Sequence, residues 1–147
     1  MHPARRHLAD DHARLERLSA ELESAFEGGD RSAIQEVWTR FEATLLSHLD
    51  AEERWLFPLF STEHASELKA LRAAHARLRH LASEEGLAAD LRTLRRETVA
   101  ELLAELRAHA AREDETVYAW LERLPEPGKL EQLLDALVRR AGGIVTG

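Results

Sequence analysis

A chain of 147 residues with a formal net charge of −7 and no cysteine is long enough to bury one sizeable core, and a single domain over residues 1–147 is expected. The missing cysteine removes disulfides, thiolate metal sites, cysteine nucleophiles and cysteine-ligated clusters. Acidic charge is spread along the chain without a basic stripe interleaved with aromatics, which argues against nucleic acid as a partner.

No apolar run approaches the ~20 residues of a membrane span, so no membrane partner is expected. The segment Met1-His2-Pro3-Ala4-Arg5-Arg6-His7 is not followed by the apolar stretch of a signal peptide. A soluble, cytoplasmic chain is expected. Ala, Leu, Glu and Arg dominate and Gly and Pro are few, which favours an all-α fold.

The first predicted helix runs from about Arg5 to Phe26, with Leu8, His12, Leu15, Leu22 and Phe26 on one face. Gly28-Gly29 ends it, and Asp30 is placed to cap the second helix. There Ile34, Trp38, Phe41, Leu45, His48, Glu52 and Trp55 recur at alternating spacings of three and four, and the helix is expected to stop near Phe57-Pro58. Ser61 or Thr62 is the expected cap of the third helix, whose stripe is Leu68, Leu71, His75, Leu78 and Ala82, with Gly86 closing it. A long fourth helix from about Ala88 carries Leu102, Leu106, His109, Glu113, Val117, Trp120 and Leu124. Pro125-Glu126-Pro127-Gly128 stops it. Leu130, Leu133, Leu134, Leu137 and Val138 mark a short fifth helix, and the tail from Gly142 is expected to be loose. The architecture predicted is an antiparallel up-down-up-down four-helix bundle over about residues 5–124, with a short C-terminal helix over about 129–140 packed across one side or end.

The chain also repeats itself. His12-Ala13-Arg14-Leu15 matches His75-Ala76-Arg77-Leu78, and His48-xxx-Glu52 matches His109-xxx-Glu113. The separations agree, 36 residues from His12 to His48 and 34 from His75 to His109. Each half is then a helical hairpin presenting one lone His and one His-xxx-Glu pair on its core-facing stripe. A lone His on an apolar face is ordinarily a satisfied core histidine, and an i, i+4 His–Glu pair is ordinarily a surface contact. Six such residues on buried stripes, in duplicate, point to a metal site, because uncompensated buried carboxylates are costly. The predicted ligands are His12, His48, Glu52, His75, His109 and Glu113.

Imidazoles with carboxylates suit iron, manganese or zinc more than calcium or magnesium. Two octahedral ions sharing two bridging carboxylates and an oxygen bridge, with four terminal imidazoles, keep two positions for water or a diatomic molecule. That is a reactive di-metal centre rather than a closed structural site.

His12, the signature His48-xxx-Glu52-Glu53-xxx-Leu56-Phe57-Pro58, His75 and His109-xxx-Glu113-Asp114 together resemble the hemerythrin-like (HHE cation-binding) family over roughly residues 5–124. The resemblance implies two iron ions with an oxygen bridge, zinc or manganese being possible substitutes, and binding of or reaction with O2, nitric oxide or peroxide. Oxygen-carrying members have a fifth His one turn beyond the third-helix His; here that position is Arg79, and His80 is rotated about 100° away. Carriers place the second acidic bridge five residues after the fourth-helix His, which is Asp114. Glu113 keeps the stripe, and Asp114 stays open as the alternative. The four-His, two-Glu set is more similar to bacterial iron–sulfur-repair and nitric-oxide-response members, whose extra cysteine-containing domain is absent from this sequence.

His2, His7, His64 and His80 read as surface residues, while Trp38, Phe41, Trp55, Phe57 and Trp120 read as core and pocket lining. Tyr118 lies one residue off the stripe and reads as core packing, with approach to the metals, or a ligand role, if the helix is distorted. Glu53, Asp114 and Glu115 are the next acids, solvated or backing the ligand imidazoles. The competing functions are a diatomic-binding or sensing protein, a small redox enzyme acting on peroxide or nitric oxide, an iron donor for cluster repair, and a metal-free interaction domain. A ferritin-like site is set aside because no His has a Glu three residues before it. Oligomeric state is open.

Overall fold

In a computed structural model, residues 1–90 and 93–144 are described, the last four by their backbone only. Among the described residues six α-helices form: α1 (Pro3–Gly28), α2 (Arg31–Ala51), α3 (Ala65–Asp90), α4 (Arg96–Glu115), α5 (Val117–Leu121) and α6 (Pro127–Ile144). There is no strand among the described residues. The helices α1 to α4 pack as an antiparallel bundle, α1 on α2, α2 on α3, α3 on α4 and α4 back on α1, and α6 lies against α1. No helix of the described residues is long and apolar enough to cross a membrane.

Local chemistry sets most boundaries. The His2 side chain accepts from the Ala4 amide, and Pro3 opens α1 where its missing N–H costs nothing. Gly29, at φ 72°, ends α1, and the Asp30 carboxylate then caps α2 by accepting from the Ser32 amide.

Three predicted boundaries move. Gly86 does not close α3, which runs on to Asp90, so α4 starts at Arg96 rather than Ala88. A Cβ at Gly86 would meet only the tip of the Glu42 side chain, Oε2 at 2.6 Å, so this glycine lies within the helix and makes no turn. Neither Ser61 nor Thr62 caps α3, because the chain stays helical past Pro58 in a 3₁₀ turn over Phe57–Phe60, and Ser61 donates to the Pro58 carbonyl instead. The fifth predicted helix is longer than expected and reaches Ile144; of the tail, residues 145–147 lie outside the described residues.

The two helices that carry the site glutamates break at or just after them. The α2 geometry gives way at Glu52 to a π-helical turn, Glu52–Leu56. The α4 helix ends at Thr116 (φ −112°, ψ −95°), whose hydroxyl donates to the Arg112 carbonyl, the kind of back-bonding that bends helices. Each break slides the buried stripe by one residue. Leu56 is buried where Trp55 was predicted, and Tyr118 and Leu121 are buried where Trp120 was predicted. Trp55 and Trp120 are half-buried, and His64, read as a surface residue, stacks on Trp120 at 3.6 Å between ring centroids.

Two apolar clusters result. One holds Leu15, Leu22, Trp38, Phe41, Leu45, Leu78 and Leu102; the other holds Leu8, Leu56, Phe57, Leu71, Val117 and Leu137. Between them in sequence, on all four bundle helices, lies a layer of polar side chains.

Candidate metal centre

That layer contains all six predicted ligands. They fall into two donor groups, His12 with His48, Glu52 and Glu113, and His75 with His109, Glu52 and Glu113. Within each group the donor atoms lie within 4.8 Å of one another, and the two groups share both carboxylates. Glu52 and Glu113 are fully buried, and His48, His75 and His109 are buried; His12, with 11% of its side chain exposed, forms the edge toward solvent.

The inner distances are short. His12 Nε2 is 3.1 Å from Glu113 Oε1, His48 Nε2 is 3.2 Å from Glu52 Oε2, and His75 Nε2 is 3.1 Å from Glu52 Oε1. His109 Nε2 lies 3.2 Å from Glu113 Oε2. Yet Glu52 Oε1, His75 Nε2, His109 Nε2 and Glu113 Oε2 make no hydrogen bond. Buried polar atoms this close, and not aligned on each other, converge on shared space. Orphaned buried donors and acceptors are costly, and a cation between them would satisfy all four. The donor set fits a metal.

The outward nitrogens are mostly held. His48 Nδ1 donates to Asp11 Oδ2 at 3.1 Å, His75 Nδ1 to Glu53 Oε2 at 2.9 Å, and His12 Nδ1 to Asp114 Oδ1 at 3.3 Å. This fixes the tautomer that turns Nε2 toward the cluster. Asp11 is itself buried and bonded to Arg140 of α6, while Arg79 bonds Glu53. Among the described residues His109 Nδ1 has no partner.

Burial opposes the imidazolium form, but Asp114 and Glu113 hold His12 up at about 9. The carboxylates of Glu52 and Asp11 raise His48 to about 10, and those of Glu113 and Glu52 raise His75 to about 9, again against burial. Burial likewise opposes ionisation of Asp11, and His48 and Arg140 overcome it, lowering that carboxyl to about 2. Glu52 is held well below its usual value, its burial outweighed by His48 and His75.

Of the alternatives left by the sequence, Asp114 is turned outward with 56% of its side chain exposed, against none for Glu113. His80 is exposed and pairs with Glu84, and Arg79, at the carriers' fifth-His position, points to Glu53. Tyr118, read as core packing, is in the layer: its O–H donates to Glu52 Oε2 at 2.5 Å, and the oxygen is 2.8 Å from His12 Nε2. Burial foremost, then the charges of Glu52 and Glu113, push this phenol well above its usual value. Asp11 and Arg140 were not singled out by the sequence at all. Asp11 sits one residue before His12, where a heptad reading sees only a solvated acid.

A family model described as the hemerythrin HHE cation-binding domain matches residues 4–121. No curated protein and no solved structure matches the chain. Over most of its length, and through every helix that contributes to the polar layer except α6, the chain belongs to the hemerythrin HHE cation-binding domain family.

Proposed function

We propose that the polar layer holds two iron ions and that the protein binds or senses O2 or nitric oxide there. His12, His48, Glu52, His75, His109 and Glu113 are the proposed ligands, with Glu52 and Glu113 shared between the ions. The observation that carries this reading is the pair of four-residue donor groups with both buried carboxylates in common. Zinc or manganese would suit the same donors. Iron when bound supplies a redox-active Lewis acid for small diatomic ligands.

The chain's own residues prepare the place. Asp11, Glu53 and Asp114 orient imidazoles, and the carboxylates offset cationic charge. Leu45, Leu49, Phe57 and Leu71, all without exposure, keep bulk water from the layer. In a second reading the protein is a small redox enzyme acting on peroxide or nitric oxide, or an iron donor for cluster repair. It is favoured by Arg79, which turns to Glu53 and leaves the place of the carriers' fifth His without an imidazole.

Metal analysis with the visible spectrum of the oxidised full chain, before and after azide, tests the proposal. Iron at two per chain, matching the two donor groups, with near-ultraviolet bands that respond to azide, is the expected result. A single zinc, or no metal after anaerobic Fe(II) reconstitution, overturns it. Consumption of peroxide or nitric oxide over many turnovers would shift the reading to the enzyme.

A further inference from the structure

The residues that back the imidazoles touch them from outside. Asp11, Glu53 and Asp114 all meet an Nδ1 atom, the nitrogen turned away from the cluster. Tyr118 does the opposite. Its oxygen is 2.8 Å from His12 Nε2, 3.4 Å from His48 Nε2 and 2.5 Å from Glu52 Oε2, each of them an atom turned inward. Two ligands at right angles around an ion with bonds of ~2.1 Å lie ~3.0 Å apart. The phenol oxygen therefore stands at the separations of a neighbouring ligand. His12 and Glu113, both in the donor group, are 3.1 Å apart, and His48 and Glu52 are 3.2 Å apart.

The chain reaches this arrangement by a local device. Thr116 breaks the helix three residues after Glu113 and turns Tyr118 onto the core-facing stripe, where its ring stacks on His12 at 4.8 Å. Nothing comparable approaches His75 and His109, whose ring neighbours among the described residues are each other and Phe57.

We propose that Tyr118 is a protein ligand of the centre, its oxygen joining His12, His48, Glu52 and Glu113 around one ion. This rests on the di-iron reading above. On binding, the phenolic O–H bond breaks, the proton leaves to solvent, and the freed lone pair forms the bond to the cation; nothing is oxidised or reduced. The position at His12 and His48 then has three terminal protein ligands and the position at His75 and His109 has two. The more open ion is the one beside Arg79. A third protein anion also favours ferric over ferrous iron, which disfavours reversible oxygen carriage.

Tyr118 is the chain's single tyrosine, so any phenolate signal is assigned without ambiguity. The test is resonance Raman and visible absorption of the ferric full-length protein, with iron content measured on the same sample. Phenolate-to-iron(III) charge transfer with enhanced tyrosine ring modes is the expected result. Tyr118→Phe keeps the ring that packs on His12, and is expected to retain iron while losing the band and raising the reduction potential. Wild-type protein with its full iron but no tyrosine modes overturns the proposal and leaves the di-iron reading standing. A band that persists in Tyr118→Phe also overturns it. Failure of the wild type to take up iron removes both.

Discussion

The two halves of the chain carry the same pattern of a lone His and a His-xxx-Glu pair, but the structure surrounds them differently. In the first half, His48 is backed by a buried aspartate that is itself tied to Arg140, and Tyr118 enters beside His12. In the second, His75 is backed by Glu53, 29% of whose side chain is exposed, and His109 Nδ1 has no partner among the described residues. A duplicated motif therefore gives a symmetric set of donors in an asymmetric setting. Which residues face the layer follows from the repeat; how firmly each ring is held follows from what the rest of the chain places behind it.

The largest effect should come from a carboxylate shared by the two donor groups. On the proposed two-ion centre, Glu52→Ala is expected to lose both metals, because Glu52 offers a donor to each group, whereas His109→Ala is expected to lose one. Metal analysis of the two purified variants checks this. Retention of one metal by Glu52→Ala would show that the two groups are not joined through that carboxylate.

Next in size is the difference in backing. Asp11→Asn leaves His48 Nδ1 without its anion and strands the Arg140 guanidinium, costing about 2 kcal/mol of stability and about 10–100-fold in metal affinity. Glu53→Gln, partly solvated, is expected to cost under about 1 kcal/mol. Urea denaturation and competitive chelation compare them, and equal effects would dissolve the asymmetry. Asp11 also has a pH signature in the metal-free chain. Its folded value of about 2 lies below the ordinary 3.8, so its contribution is present above pH 3.8 and lost as pH falls toward 2. Asp11→Asn should flatten the acid limb over that window.

The sequence made the four donor helices and all six inward-facing donors legible, because helical periodicity reports which residues share a face. It misplaced Trp55 and Trp120 because periodicity assumes an unbroken helix. The π-helical turn at Glu52 and the break at Thr116 each advance the register by one residue. Tyr118 was seen one position off the stripe, and only the break brings it in. The Asp11–Arg140 contact spans 129 residues and joins α1 to a helix outside the repeat, so no local pattern announces it.

Removing metal should steepen the pH response above neutrality. Without metal, His12, His48 and His75 have folded values of about 9, about 10 and about 9, above the ordinary 6.5. Their ion pairs contribute fully below about pH 6.5 and are lost as pH rises through 9 to 10. The chelated protein should therefore weaken between pH 7 and 10. Metal binding requires neutral imidazoles and strengthens as pH rises, so the stabilisation gained by adding metal should grow over the same window. Thermal melts with and without chelator decide it; parallel pH curves would break the link between these imidazoles and the metal.

The smallest effect contrasts two glycines. Gly29 ends α1 at φ 72°, so Gly29→Ala should cost about 1 kcal/mol through backbone strain alone. Gly86 lies within α3, where alanine is better than glycine by about 1 kcal/mol in helix propensity. Its new Cβ would meet the tip of the Glu42 side chain, whose carboxyl is already raised by burial and by Asp90. A flexible carboxylate in an unfavourable seat can swing away, so Gly86→Ala should be neutral or slightly stabilising. Opposite signs for the two substitutions in thermal denaturation are expected. A loss at Gly86 as large as that at Gly29 would mean that Glu42 is held where it is, and that the second hairpin depends on its glycine for packing as the first does for its turn.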